Sequence, residues 1–409
     1  MSNPVPIPAL FDDAARCCGC GACAQACPVG AISMTEDASG FAFPRIDEAL
    51  CVRCGLCKRV CGFQRRPFRQ SGGPFLAAAT SEVEIDRSAS GGVFGALARA
   101  MVARGGAVVG CAYELDEGGL VARHRVVEDE RGIDALLGSK YVQSDAAAAF
   151  VRARELLAEG REVLFSGTPC QVAGLLGYLG GPSDRLLTVD LVCHGVPSPR
   201  MLQGYLRGAG QVHDRRIVDA RFRPKYDGWA NSLQLELSSS DGSNERVPSG
   251  ESSYYDLFLS LQTLRDSCYE CPFAGALRPA DLSLGDFWGI EKVRPDLLAE
   301  AGGPFDVRRG VSCLLVNNER GEAWLERLGQ RLVTAPVTFG QIAEHNDQLR
   351  NPAARPSGRE AYLDAFATGG WPAVERLWRR AVRRRRVLGA VKRCVPAPLK
   401  RAVKRVLGR

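Results

Sequence analysis

Thiols dominate the chemistry open to this chain. Cys17, Cys20, Cys23 and Cys27 follow the spacing C-x2-C-x2-C-x3-C with Pro28 next, and Cys51, Cys54, Cys57 and Cys61 repeat it with Gly62 in the proline's place. Three thiolates two residues apart on a tight loop can take three irons of a cubane. The fourth iron needs a thiolate from farther along, so the last cysteine of each run serves the other cluster. The spacing predicts one [4Fe-4S] cluster on Cys17, Cys20, Cys23 and Cys61, and a second on Cys27, Cys51, Cys54 and Cys57. Structural zinc is the rival, but its sites present separated cysteine pairs rather than four thiols in eleven residues. Cys18 fits no spacing and reads as a packing residue. Together the two runs make a small bacterial-type two-cluster ferredoxin domain whose thiols carry electrons.

Of the 16 cysteines, four more stand where chemistry is conceivable. Cys170 opens a helix after a strand in "FSGTPCQ", where a thiolate gains from the helix N-terminus. Cys193 ends a strand in "VDLVCHG", and Cys268 and Cys271 form a C-x2-C. Spacing alone leaves two readings open: a third four-thiolate site, or buried thiols that merely pack. Cys111 and Cys313 lie inside apolar strand-like runs and read as core; Cys394 is unassigned. No G-x-G-x-x-G and no G-x4-G-K-[ST] occurs, so dinucleotide and P-loop fingerprints are missing. "RSASGGVFGAL" sets two glycines before a helix. Its backbone N–H groups either face a pyrophosphate or simply begin a helix.

These residues need elements to hold them. "PFLAAAT" and "GAVVGCAYE" read as strands flanking the helix "VFGALARAMVARG". "REVLFSG" and "RLLTVDLVC" read as strands on either side of the helix "PCQVAGLLGYL", an order that argues for parallel pairing. "ARFR" and "LQLELSSSDGSNERV" look antiparallel, the latter a hairpin turning at Asp241-Gly242. The fold class expected is therefore multidomain, α+β with α/β. A ferredoxin domain (1–63) and a linker (64–74) lead into a mixed-sheet α/β domain in two parts (75–160 and 161–320), which the resemblance set out below implies to be flavin-binding. A helical extension (321–375) and a basic amphipathic tail (376–409) follow.

Bulk properties set the compartment. The opening "MSNPVPIPAL" has neither a basic nor an apolar export region, and no window is apolar enough to span a membrane. A cytoplasmic setting is expected, where clustered cysteines bind metal or do redox work. The net charge of +7 is misleading, because 13 Lys/Arg and no Asp/Glu lie between Arg379 and Arg409. The remaining 40 basic residues face 46 acidic ones, a net of −6. In the tail, Val374, Leu377, Trp378, Ala381 and Val382 form one helical stripe, and Leu399, Ala402, Val403, Val406 and Leu407 form a second. Such helices suit an anionic membrane surface, placing the protein at the inner face, or else stay solvated. Nucleic acid is not expected, since the body is acidic and no binding fold is visible.

The motifs "SGGVFGAL", "GSKYVQS", "VLFSGTPCQVAGL", "VDLVCHGVPSP", "FRPKYDGW" and "SCYECPFA…RPADLSLGDFWG" occur in this order. Together they resemble the beta subunit family of coenzyme F420 hydrogenases and dehydrogenases, from the first ferredoxin motif to about residue 320. The resemblance implies an FAD-containing oxidoreductase that passes electrons between iron–sulfur clusters and a two-electron acceptor, in some members coenzyme F420. It implies that Cys170, Cys193, Cys268 and Cys271 hold a flavin-proximal cluster. It also implies that Ser90, Gly91, Gly92, Lys140, Tyr141, Ser144 and Thr168 line the FAD site. Lys140, Lys225 and His194 are the side chains nearest to a catalytic role. Against each stands a plainer reading: a solvated lysine, favoured for Lys225, and a structural histidine. Asp286 reads as a turn residue. The expected partners are a soluble ferredoxin or reductase and a small-molecule or lipid-linked substrate. An electron-transfer adaptor without a substrate is the alternative, and a cluster protein that has lost its flavin is a third class.

Overall fold

The structure is a computed structural model that describes residues 6–65, 69–70, 72–80, 83–212, 214–231 and 233–394. The N-terminal module is built on one antiparallel hairpin, β1 (Ile32–Glu36) with β2 (Ala42–Ile46), and two single-turn helices, α1 (Ala22–Gln25) and α2 (Leu56–Arg59). Each short helix starts from a glycine in the left-handed region, Gly21 at φ 79° and Gly55 at φ 70°. That conformation turns the chain sharply between the second and third thiol of each run, and glycine adopts it without steric cost.

A short strand, β3 (Arg69–Gln70), leads out of the module. The larger part contains β4 (Phe75–Thr80), β5 (Ala107–Asp116), β6 (Gly119–Val127), β7 (Val163–Gly167) and β8 (Leu186–Leu191). It continues with β9 (Ile217–Phe222), β10 (Gln234–Ser239), β11 (Asn244–Pro248), β12 (Leu277–Arg278), β13 (Leu282–Asp286), β14 (Ser312–Val316) and β15 (Leu332–Val337). Eight of these strands form one sheet in the order β15-β4-β14-β13-β8-β7-β5-β6. The centre is parallel (β5/β7, β7/β8, β8/β13) and the remaining pairs are antiparallel. The mixed sheet expected from the element order is thus present. Val163, Leu164 and Phe165 on β7 and Leu186, Leu187 and Val189 on β8 are all buried, as central strands covered on both faces must be.

The helices flanking the sheet include α3 (Val93–Ala103), α4 (Glu130–Leu136), α5 (Ala147–Ala158) and α6 (Pro169–Leu179). The expected helix after Thr168 is α6. Pro169 occupies its first turn, where no N–H is missed, and the Gln171 side chain reaches back to accept from the Thr168 N–H at 3.0 Å. β9, β10 and β11 form a separate antiparallel sheet, and the β10–β11 hairpin turns at Asp241-Gly242 with Gly242 at φ 83°.

Three expectations are corrected. The stretch 321–375 is not purely helical: Leu332–Val337 pairs antiparallel with β4 and closes that side of the sheet. Asp286 is the last residue of β13 rather than a turn residue. In the tail, Val374 and Trp378 are buried, and Leu377 and Val382 pack partly against the same core as α7 (Pro199–Val212) and α8 (Ser253–Leu259). The Trp378 indole N–H donates to Asp256 at 2.6 Å. That stripe faces protein, so its amphipathicity is explained by packing. The second stripe, from Leu399, lies outside the described residues. No helix among the described residues is long and apolar enough to cross a membrane.

Candidate functional site

Thiols gather in three places. Cys27, Cys51, Cys54 and Cys57 line one small cavity, with Pro28, Val29, Val52 and Arg53 at its rim. Cys54 is exposed. The second group is Cys17, Cys20, Cys23 and Cys61, whose charges act on one another. Burial pushes the Cys61 thiol up to about 11, and the neighbouring Cys20 and Cys17 push in the same direction. Cys23 is raised further by burial and then by Cys20, Cys17 and Cys61. The crossed pairing expected from the spacing, in which Cys27 and Cys61 exchange runs, matches these two groupings.

The third group brings together Cys170 at the start of α6, Cys193 just beyond β8, and Cys268 and Cys271 of the "SCYEC" turn, all lining one cavity. Burial pushes Cys193 up to about 12 and Cys271 to about 11, with the charge of Cys170 adding to each. Cys170 is the exception. Hydrogen bonds from Cys18 and then Thr168 hold it at about 7 against burial. Beside this cavity Arg278 donates to Asp190 at 2.5 Å, to Ser283 at 3.0 Å and to the Phe273 carbonyl at 2.9 Å. Asp190 and Arg278 are both buried, so each neutralises the other's charge.

Cys18, expected as packing, is buried in one cluster with Cys20, Cys61, Cys170 and Cys271. It lies between the second and third groups. The contact between the ferredoxin module and α6 is backbone to backbone. A Cβ on Gly62 would fall 1.9 Å from the Ala173 carbonyl oxygen, and one on Gly177 would fall 2.2 Å from that of Val60. This explains why glycine replaces the expected proline at 62: any side chain there would separate the module from the helix that carries Cys170.

Among the described residues, no group of three or more His, Cys, Asp or Glu is drawn together tightly enough to hold a single metal ion. A cubane asks for a wider arrangement, because each thiolate takes a different corner iron. The donor set, four sulfurs in each of three places, fits that group.

A cleft of about 340 Å³ opens beside the third thiol group, lined among others by Ser90, Gly92, Lys140, Tyr141, Ser144 and Thr168. Six of the seven expected flavin residues therefore meet. Gly91 does not reach the cleft; it is buried against β4 and β14, and its N–H donates to Ser312 Oγ at 2.9 Å. Thr168, Cys193, His194, Gly195 and Val196 line both the cleft and the third thiol cavity, so the two share a wall. A cleft of this size, lined by apolar residues with a few polar ones, suits a small-molecule ligand.

Several side chains differ from their expected roles. Lys225 is half-buried, with its ammonium donating to the carbonyls of Ile85, Ser90 and Arg309 at 2.7, 2.5 and 2.5 Å, and is not a solvated surface lysine. Lys140 lines the cleft, but its ammonium is taken up by the Leu137 and Ala135 carbonyls at 2.6 and 3.0 Å. His194 sits 3.3 Å from the Phe258 carbonyl and 3.2 Å from the Gln348 amide, the structural outcome. Cys313 is buried as expected, whereas Cys111 is half-buried on the cleft wall.

Sequence reasoning missed three parts of the cleft. His124 Nε2 is 2.9 Å from the Ser166 carbonyl, which can only accept, so that nitrogen carries the proton and Ser144 donates to Nδ1 at 3.2 Å. Burial holds this imidazole at about 4. Gln171 donates to the Ser144 carbonyl and hydroxyl, each at 3.0 Å. At another part of the lining Arg223 pairs with Asp286, lies 4.7 Å over the Trp288 ring, and shares Asp286 with the Trp229 indole at 2.8 Å. A lone histidine on a strand such as β6 is ordinary, and although Gln171 and Arg223 lie in "VLFSGTPCQVAGL" and "FRPKYDGW", nothing local marks the contacts they make.

Residues 160–338 match the family described as the C terminus of the coenzyme F420 hydrogenase/dehydrogenase beta subunit. Residues 16–64 match the 4Fe-4S dicluster domain. Among solved structures, a chain of the F420-reducing [NiFe] hydrogenase complex from Methanosarcina barkeri is similar over 75% of this chain and 96% of its own, at 15% identity and a TM-score of 0.46. No curated protein matches.

Proposed function

We propose that this chain, whose residues 160–338 belong to the family of coenzyme F420 hydrogenase/dehydrogenase beta subunits and whose residues 16–64 are a 4Fe-4S dicluster domain, is a flavin-dependent iron–sulfur oxidoreductase. In this reading Cys27, Cys51, Cys54 and Cys57 hold an outer cubane, and Cys17, Cys20, Cys23 and Cys61 hold an inner one. Cys170, Cys193, Cys268 and Cys271 hold a third, and FAD fills the cleft. The observation that carries the proposal is the shared wall: Thr168, Cys193, His194, Gly195 and Val196 face the cleft on one side and the third thiol cavity on the other.

FAD bound there supplies hydride exchange with an organic partner, coenzyme F420 or another small or lipid-linked molecule, and one-electron exchange with iron–sulfur centres. The chain's own residues supply position and field. Gly92, at φ 80° before α3, brings backbone close to the cleft, and a Cβ there would meet Thr80 at 2.5 Å. The Gln171–Ser144–His124 network presents a fixed hydroxyl and a neutral imidazole, so that side of the cleft brings no mobile charge. The pairing of Arg223 with Asp286 fixes a rigid, aromatic-backed ion pair at the lining.

The outer thiols are the exposed end of this series. Val29, Leu50 and Val52 are exposed large apolar residues at or beside that cavity, and Arg53, Lys58 and Arg59 are exposed nearby. A soluble redox protein docking there exchanges electrons without approaching the cleft. Oxygen-labile thiolate clusters of this kind call for a reducing, cytoplasmic setting.

Anaerobic purification with iron, acid-labile sulfide and flavin analysis tests the reading. About twelve irons, about twelve sulfides and about one FAD per chain are expected. Eight irons without flavin would leave only the ferredoxin domain and overturn the proposal.

A further inference from the structure

Arg265 is 1% exposed, yet the hydrogen-bond partners of its guanidinium all lie far away in the chain. It precedes the turn Asp266–Cys268, in the segment that supplies the third thiol group, and its side chain crosses into the ferredoxin module. There Nε donates to the Cys17 carbonyl at 2.8 Å, and Nη2 donates to the Ala42 carbonyl at 2.9 Å, with Cys17 Sγ at 4.0 Å. Nη1 donates to Gln143 Oε1 at 3.2 Å, and the Gln143 amide in turn donates to the Cys18 carbonyl at 3.0 Å. The guanidinium carbon lies 4.1 Å over the Phe43 ring and 5.6 Å from that of Phe41. Its oxygen partners are neutral, so the cation's charge is not cancelled by them.

A buried cation with neutral partners is costly unless an anion answers it. Here the neighbouring sulfur belongs to the inner thiol group. When a cubane gains an electron, the four-thiolate unit gains one negative charge. A fixed positive charge at contact distance, screened by little water, favours that reduced form. Among the described residues lining the outer thiol group, the arginine, Arg53, is exposed, and the exposed Cys54 gives that group solvent instead.

We propose that Arg265 raises the reduction potential of the inner cubane above that of the outer one, so that electrons pool at the junction between the ferredoxin module and the large domain. The inference rests on the ligand assignment proposed above. Each transfer is one electron: the outer cubane is oxidised as the inner one is reduced, and no ligand or proton moves. Arg265 acts here as a positioning residue for charge and touches no substrate.

Potentiometric titration of the full chain, followed by electron paramagnetic resonance, tests this after iron and sulfide have been counted. In the unaltered protein the inner cubane should titrate at the higher potential, its signals being those that persist in Cys54→Ala. Arg265→Met should move the inner midpoint negative, enough to change its reduced-to-oxidised ratio at fixed potential by about tenfold, and leave the outer midpoint in place. Arg265→Lys keeps the charge without the planar fork and should retain most of the elevation. An unmoved inner midpoint in Arg265→Met, with iron content intact, overturns the inference. If that variant fails to load its inner cubane, the order of the two midpoints in the unaltered protein decides, and an outer cubane at or above the inner one overturns it. Missing ferredoxin iron in the unaltered protein would instead count against the ligand assignment.

Discussion

The outer and third thiol groups each gather four cysteine sulfurs, in opposite surroundings. Cys27, Cys51, Cys54 and Cys57 come from two short loops, with Cys54 exposed and apolar residues open to solvent beside it. Cys170, Cys193, Cys268 and Cys271 come from a helix start, a strand end and a turn spread over about a hundred residues, and burial raises three of the four thiols. Solvent access suits a centre that meets other proteins. Burial beside a cleft suits one that exchanges with a bound organic ring, where water would compete. The difference in surroundings assigns different duties to one chemistry.

That contrast can be broken most severely at its sulfurs. Cys193→Ala should remove about four irons of about twelve and uncouple the cleft from the clusters. Cys54→Ala should also cost about four irons, but leave the flavin content near one per chain while slowing exchange with an external carrier. Iron analysis with flavin quantitation separates the two, and equal flavin loss in both would erase the distinction.

The next largest effect lies in the polar support of the third group. Arg278→Met strands Asp190 in the core, where burial already raises its carboxyl. A loss of about 3–5 kcal/mol in denaturant unfolding is expected, because a buried charge is left unanswered. No comparable buried pair is expected to matter at the outer group: Lys58→Met should change stability by less than about 0.5 kcal/mol.

The cleft wall should respond to acid. His124 is held at about 4 by burial, below an unfolded value of about 6.5. Between those values the unfolded chain binds the proton and the folded chain does not, so stability falls as pH drops from about 6.5 to about 4 and is level above. About 3 kcal/mol is lost across that window, and His124→Gln should flatten the profile of thermal unfolding against pH. A smaller effect is expected at the join between the two regions. Gly62→Pro forces atoms against the Ala173 carbonyl and should cost about 2 kcal/mol, read as a lower melting temperature with the outer cubane's spectrum unchanged.

How much could be read beforehand depended on how far apart the participants lie in the chain. The grouping of the two ferredoxin runs was legible, including the placing of Cys27 with the second run and of Cys61 with the first, because a tight loop presents three thiols at fixed intervals. The strands and helices around Cys170 were legible from apolar runs and from the proline that opens "PCQVAGLLGYL". Lys225 was misread as solvated, because nothing in "RPKYDGW" reveals that three carbonyls converge on its ammonium. The stripe through Trp378 was misread as free for a membrane, because amphipathicity says that an apolar face is covered without saying by what. His124 and Arg265 gave no signal, and although Gln171 and Arg223 lay inside quoted motifs, nothing local told what they would contact.

The amino-acid order alone therefore determined which thiols gather in the N-terminal module and which segments become strands or helices, since both follow from intervals along a few neighbouring residues. Only the folded chain decided that Cys170 stands next to Cys18 and that Gly62 must lack a side chain. It alone set a guanidinium from residue 265 against a sulfur from residue 17. Those relations depend on surfaces meeting across more than a hundred residues, where packing and burial set the partners and no local spacing records them.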